Sequence, residues 1–140
     1  MTLELIPVGT AEIGLAEPIM MPGGPHGTRA IVEITSASYS GERLRGKLKG
    51  SAAADWLVVS PQGMGLMDVR LTIETDDGAL IYLAYTGRVD ISQGIEGATV
   101  YSTPLLETGD ERYAWVNGVQ MVAKGVISGG VLTYEIYELR

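Results

Sequence analysis

Residues 67–86 read MDVRLTIETDDGALIYLAYT and carry the clearest structural signal in the chain. Apolar and polar residues alternate from position 67 to position 75, which is the pattern of a half-buried β-strand. Asp77-Gly78 follows, and this pair favours a type I′ turn because both of its residues tolerate a positive φ. The segment therefore predicts a β-hairpin with a two-residue loop.

The loop length decides which residues of this hairpin share a face. A two-residue loop would pair Thr75 with Leu80 and Ile73 with Tyr82. The more apolar face would then point into the core, and it carries Val69, Leu71, Ile73, Leu80, Tyr82 and Ala84. The other face would meet either solvent or a polar barrel interior, and it carries Asp68, Arg70, Thr72, Glu74, Ile81, Leu83 and Tyr85.

Short strands joined by turns are expected along the rest of the chain. The 19 Gly and 6 Pro are plentiful turn formers, and no segment shows a convincing helical period. Further strands are predicted at 3–8, 12–16, 29–39, 43–49, 55–60, 113–124, 126–128 and 131–139. We therefore expect residues 1–140 to form a single all-β domain, an antiparallel barrel of about 8–10 strands, with a two-sheet β-sandwich as the alternative.

Composition excludes several classes of function. The chain has no Cys and a single His, His26, so thiolate metal sites, cysteine nucleophiles and His-based metal clusters are ruled out. Its net charge of −7 disfavours nucleic acid as a partner. No apolar run is long enough for a transmembrane helix, and the start lacks a signal-peptide pattern, so we expect a cytoplasmic protein.

Several sequence blocks together resemble a known family. They are GERLRG at 41–46, LMDVR at 66–70, ETDDGALI at 74–81, PLLETGDERYAWVN at 104–117 and YEIYE at 134–138. The chain is similar over about residues 3–139 to the domain-of-unknown-function family 3237, also called uncharacterised protein family 0311. The resemblance implies a single calycin-like β-barrel from bacterial metabolism, and it implies no particular activity.

The chemistry available to such a barrel comes from carboxylates, phenols and arginine. Asp55, Asp68 and Glu107 are the candidate catalytic acids or bases, because a carboxyl group buried beside an aromatic ring can acquire a near-neutral pKa. No metal or cofactor is predicted. The pair Asp76-Asp77 is explained more simply by turn chemistry than by metal binding.

Seven side chains are candidates for binding a ligand. Arg70 could clamp a carboxylate, or it could belong to an ion pair on an outer face. On the predicted strand 113–124, alternate residues would form an aromatic wall with an amide anchor, or would pack in the core. The candidates are Trp56, Arg70, Tyr82, Tyr101, Tyr113, Trp115 and Asn117.

These observations favour a small-molecule-binding barrel. One hypothesis is a cofactor-independent lyase, isomerase or cyclase that works by acid–base chemistry. The alternative is a non-catalytic barrel that carries a hydrophobic metabolite. The low charged fraction of 19% and the mean hydropathy of +0.17 also suggest apolar surface that a homodimer or larger homo-oligomer would cover.

Overall fold

The computed structural model describes residues 1–140 and contains eleven β-strands and one 3₁₀ segment, Glu111–Gly118. The strands are β1 Leu5–Leu15, β2 Ile19–Gly24, β3 Gly27–Ser40, β4 Gly46–Leu48, β5 Ala54–Val59, β6 Met64–Thr75, β7 Leu80–Asp90, β8 Thr99–Ser102, β9 Leu105–Glu107, β10 Met121–Ser128 and β11 Val131–Leu139.

Eight of these strands form a closed antiparallel barrel, which confirms the predicted fold class. The order around the barrel is β6-β5-β3-β1-β11-β10-β8-β7, and β7 pairs with β6 to close it. Closure leaves the barrel wall itself without unpaired edges. The long strands β3 and β7 each pair along one edge with two shorter strands in succession. Strand β3 pairs with β1 and then β2, and β7 pairs with β8 and then β9. No helix in the chain is long and apolar enough to cross a membrane.

The hairpin at 67–86 forms, but its register differs by one residue from the prediction. Ile73 pairs with Ile81, and the Thr75 N–H donates to the Ala79 carbonyl over 2.8 Å, so the loop has three residues. Gly78 ends the loop with a φ of +91°, the left-handed conformation that such loops require. The Thr75 hydroxyl stabilises the loop by donating to Asp77 Oδ1 over 2.6 Å.

This slip exchanges the two faces of β7. The interior receives Ile81, Leu83 and Tyr85, whereas Tyr82 is 40% exposed on the outside. Strand β6 keeps its predicted inner face of alternate apolar residues. One residue of register therefore decides which tyrosine faces the barrel interior.

The strand predicted at 113–124 is wrong over most of its length. Residues 111–118 form the 3₁₀ segment, and the strand begins only at Met121. Asp110 caps the segment by accepting a hydrogen bond from the Arg112 N–H over 2.9 Å. Val116, 1% exposed, packs into the core, so the segment covers one end of the barrel.

Charged side chains complete this closed end. Glu138, buried on the inner face of β11, forms an ion pair with Arg43 and a second one with Arg140 at 2.6 Å. The Arg43 guanidinium also lies 4.2 Å from the ring centre of Trp115. The free volume inside the barrel lies toward the opposite end.

Candidate functional site

A cavity of about 370 Å³ occupies the end of the barrel away from the 3₁₀ segment. Sixteen of its 21 lining residues are hydrophobic, and no Lys, Arg or His lines it. The walls come from alternate residues of the barrel strands, while Glu17, Met20, Ile95 and Glu96 line its outer part. Its size lies near the lower limit of typical ligand pockets, which span roughly 300–1,000 Å³.

Asp55 is the one buried carboxylate in this cavity. Asp55 lies on β5 between Val32 of β3 and Val69 of β6, and only 7% of its surface is exposed. Its Oδ1 accepts a hydrogen bond from the Asp68 N–H over 2.9 Å, and no protein group donates to Oδ2. Burial raises the pKa of Asp55 to about 6, although the backbone hydrogen bond acts in the opposite direction. Asp55 can therefore both take and return a proton near neutral pH.

Three buried tyrosines lie in the interior beside and beyond Asp55. Tyr85 lines the cavity and also a second, small cavity of about 20 Å³, which Tyr39 and Tyr134 border. The rings of Tyr85 and Tyr134 are perpendicular, with their centres 5.8 Å apart. Burial raises the pKa of all three phenols, that of Tyr134 to about 12, so each one is a hydrogen-bond donor at neutral pH.

Two fully buried hydroxyl groups in this region, those of Tyr134 and Ser102, lack a well-formed hydrogen bond. The Tyr134 hydroxyl faces the hydroxyl groups of Tyr85 and Ser102. An unpaired buried hydroxyl costs roughly 1–3 kcal/mol, so such groups are uncommon in native proteins. Their presence marks the centre of the barrel as a region with unused hydrogen-bonding capacity.

Gly125 makes room for Tyr134. The two residues are paired across β10 and β11. A Cβ at position 125 would lie 2.7 Å from Tyr134 Cδ1, which is closer than real carbon contacts allow. A glycine inside a strand commonly marks such a close approach. The ring of Tyr134 is therefore positioned over the backbone of the neighbouring strand.

Of the three carboxylates predicted to act as acid or base, the structure places only Asp55 in the cavity. Asp68 is exposed on β6 and contributes its backbone N–H to Asp55. Glu107 is exposed on β9, beside an outer groove of about 830 Å³.

Trp56 and Arg70 lie on the outer side of the barrel wall, where the guanidinium carbon of Arg70 is 4.5 Å from the indole ring centre. Their positions follow from strand alternation, since their neighbours Asp55 and Val69 point inward. Arg70 is therefore not placed to clamp a ligand inside the barrel.

The remaining predicted binding residues are dispersed over the surface and the closed end. Tyr82 and Asn117 border the outer groove, and the Asn117 amide accepts from the Thr108 N–H over 2.8 Å. Tyr101 is 58% exposed next to Lys124. The Tyr113 hydroxyl donates to Asp77 over 2.7 Å, and Trp115 packs against Arg43. These five do not converge on one site.

The family comparison agrees with this architecture. A family model described as a protein of unknown function, DUF3237, matches residues 3–139. The chain belongs to the DUF3237 family. A relative from Rhodopseudomonas palustris, named a UPF0311 protein, is 26% identical over 102 residues, which span 64% of this chain and 66% of the relative. The match thus extends over just under two thirds of that relative.

Solved structures resemble this chain over the whole barrel. A β-barrel-like protein from Acinetobacter baumannii is 28% identical with a TM-score of 0.89, and the match covers 100% of this chain and 98% of that one. An enzyme from Penicillium herquei has a TM-score of 0.70 at 21% identity, with 99% and 94% covered. The second likeness concerns the fold alone.

The sequence prediction missed the three interior tyrosines. The sequence did contain a pattern that indicates an inward Tyr134, because Leu132, Tyr134 and Ile136 alternate with other residues along the last strand. The absence of Phe was a second signal, since large aromatic side chains in the interior then have to be Tyr or Trp. Tyr85 was assigned to the wrong face with the rest of β7.

Proposed function

We propose that this DUF3237 protein binds a small organic molecule inside its barrel and acts on it by acid–base chemistry. The observation that carries the proposal is Asp55, a buried carboxyl group with a pKa of about 6 in an apolar cavity. Proton transfer of this kind suits a cofactor-independent isomerase, lyase or cyclase. The fold is compatible with catalysis, since the Penicillium herquei protein of similar fold is an enzyme.

The charges around the cavity define the class of ligand. No cationic side chain lines it, and both Glu17 and Glu96 lie toward its opening. Glu96 accepts hydrogen bonds from the Gly129 N–H and the Ser128 hydroxyl, which lower its pKa and keep it ionised. Anionic ligands are therefore disfavoured. We propose a neutral, mostly apolar substrate, rather than the carboxylate that an inward arginine would have bound.

Proton exchange provides a direct test. The bicyclic ketone 2-tetralone is neutral and apolar and has acidic C–H groups beside its carbonyl. In D₂O, the wild-type protein should accelerate deuterium uptake by this ketone, measured by mass spectrometry, and the rate should rise as Asp55 ionises around pH 6. The Asp55→Asn variant should lose at least about a hundredfold of this rate.

Asp68→Asn is the matched control for this experiment. It removes a neighbouring exposed carboxylate and keeps the backbone N–H that bonds to Asp55. Exchange should therefore continue in this variant, and its pH profile should move to lower pH because the Asp68 charge helps to raise the pKa of Asp55. Equal exchange rates in the wild-type and Asp55→Asn proteins would refute the catalytic role of Asp55.

The second candidate function is carriage of a hydrophobic metabolite without turnover. The predominance of apolar residues in the cavity favours it. Binding of 2-tetralone by the wild-type protein with no exchange above the uncatalysed rate would support carriage over catalysis.

A further inference from the structure

We infer that Tyr85 binds an oxygen atom of the ligand, a carbonyl or enolate oxygen, with Tyr134 supporting it from behind. This inference rests on the proposed function and gives its substrate class a definite chemical feature. The cavity would then contain a proton acceptor and an oxygen-binding donor as separate elements, as enolisation requires.

The strand register places Asp55, the proton acceptor, and Tyr85, the oxygen-binding donor, in one row across the barrel wall. Asp55 pairs with Val69, and Val69 pairs with Tyr85, so the three residues occupy adjacent strands and face inward. Neighbouring strands are about 4.8 Å apart, so the backbones of Asp55 and Tyr85, two strands apart, are separated by roughly 10 Å. A ligand between them can present a C–H group to one and an oxygen atom to the other.

The hydroxyl of Tyr134 lies beside that of Tyr85. It is fully buried without a well-formed hydrogen bond, it faces the Tyr85 hydroxyl, and the two rings are adjacent. The cavity of about 20 Å³ beside these rings is large enough for roughly one water molecule or one ligand oxygen. A ligand oxygen bound at Tyr85 would provide a hydrogen-bond acceptor in a region where two buried hydroxyl groups lack a well-formed hydrogen bond.

The reaction step follows from this placement. The Asp55 carboxylate removes a proton from the carbon beside the ligand carbonyl, and the C–H electron pair forms the enolate C=C bond. The carbonyl π electrons move to oxygen, where the Tyr85 hydroxyl donates a hydrogen bond to the resulting oxyanion. Protonated Asp55 then returns the proton to the same carbon or to a conjugated one. No other reactant is needed.

The test compares two probes of matched shape, 2-tetralone and its parent hydrocarbon tetralin, by equilibrium dialysis. The wild-type protein should bind the ketone about tenfold more tightly, the effect expected of a good hydrogen bond in an apolar site. Tyr85→Phe should abolish this preference, and Tyr134→Phe should reduce it. Tyr137→Phe is the control, because the Tyr137 hydroxyl bonds to Glu135 on the outside of the barrel.

Infrared spectroscopy of bound 2-tetralone gives an independent readout. The carbonyl stretch should shift to lower frequency in the wild-type protein and in Tyr137→Phe, and this shift should disappear in Tyr85→Phe. The affinity for tetralin, which does not depend on a hydroxyl group, shows that each variant still folds.

The outcomes separate this inference from the proposed function. If the wild-type protein binds ketone and hydrocarbon equally well, or if Tyr85→Phe keeps the preference, the oxygen site is refuted and the cavity remains a binding site. If the wild-type protein binds neither probe, the proposed binding function and the oxygen site both fail. Loss of deuterium exchange in Asp55→Asn with an intact ketone preference would support two separate roles.

Discussion

Asp55 and Asp68 are joined by a hydrogen bond, but their side chains lie on opposite sides of the barrel wall. The Asp68 N–H donates to Asp55 Oδ1 over 2.9 Å, while the Asp68 carboxylate is in solvent. The bond orients the Asp55 carboxylate within the cavity without neutralising its charge. Burial is the main reason that the pKa of Asp55 is raised to about 6, and the hydrogen bond from Asp68 only partly opposes this effect.

The first prediction concerns the stability cost of burying Asp55. Its pKa rises from 3.8 to about 6 on folding, so the folded state binds the extra proton and becomes less stable as pH increases through this range. The shift corresponds to roughly 3 kcal/mol once Asp55 is ionised. Asp55→Asn should therefore raise the unfolding free energy at pH 8 and leave it nearly unchanged at pH 4.

Urea denaturation of both proteins at the two pH values measures this difference. Other groups that titrate in the same range are common to both proteins and cancel. An Asp55→Asn protein with the same relative stability at pH 4 and pH 8 would contradict the raised pKa.

The second prediction concerns the free volume of the barrel. Ala30 is buried and lines the cavity, whereas Ala37 is buried in the packed core away from it. Ala30→Leu should fill the cavity and weaken 2-tetralone binding at least about tenfold with little loss of stability. Ala37→Leu should cost about 1–3 kcal/mol through overpacking. Calorimetry of both variants would test the contrast, and equal destabilisation would argue against the cavity.

The third prediction concerns the contact between the β6–β7 loop and the 3₁₀ segment. Asp77 accepts from Thr75 and Tyr113, and its carboxylate lies 3.4 Å from Arg112. These partners lower its pKa, so their contribution exists above the ordinary pKa of Asp and is lost as pH falls below it.

Asp77→Ala should lower Tm at pH 7 and accelerate amide exchange over residues 111–118. Asp76→Ala is the control, since the Asp76 side chain makes no hydrogen bond or ion pair. Similar amide exchange in both variants would show that Asp77 does not anchor the segment.

The fourth prediction concerns self-association. Strand β2 pairs with β3 alone, and Ile19, Met20 and Met21 are each about half exposed on it. An uncharged edge strand of this kind is open to pairing with another chain. We expect a homodimer through β2, and expect that the double substitution Ile19→Lys and Met21→Lys disrupts it. Light scattering measures the mass; a wild-type value near the monomer's 14.9 kDa at high concentration would exclude association.

Local patterns predicted the strands more reliably than the register. Alternation from position 67 to 75 identified β6, and Gly78 identified the turn. The run Asp76-Asp77-Gly78 suits both a two-residue and a three-residue loop, and only the hydrogen bonds of Thr75 distinguish them. The choice moves Tyr82 and Tyr85 to opposite faces, so the hairpin was predicted correctly and the inward orientation of Tyr82 was wrong.

The 3₁₀ segment was missed for a different reason. The spacing of Tyr113, Trp115 and Asn117 at every second position is typical of a strand, and it led to the prediction of a strand there. The competing signal was the capping residue Asp110, whose side chain bonds to Arg112. Asp55 was a candidate from its residue type, whereas its inward orientation depends on pairing with β3 and β6, which local sequence does not encode.

The fit between Gly125 and Tyr134 has a consequence for how this barrel can diverge. A side chain at position 125 would collide with the ring of Tyr134, with Leu132 and with the backbone carbonyl of Thr133, so a change at this position requires the paired strand to move as well. Relatives that carry a larger residue at the position of Gly125 should have lost the aromatic ring opposite it. A glycine at this position together with a tyrosine at the paired one would then mark which members of the family share the same interior, and with it the same class of ligand.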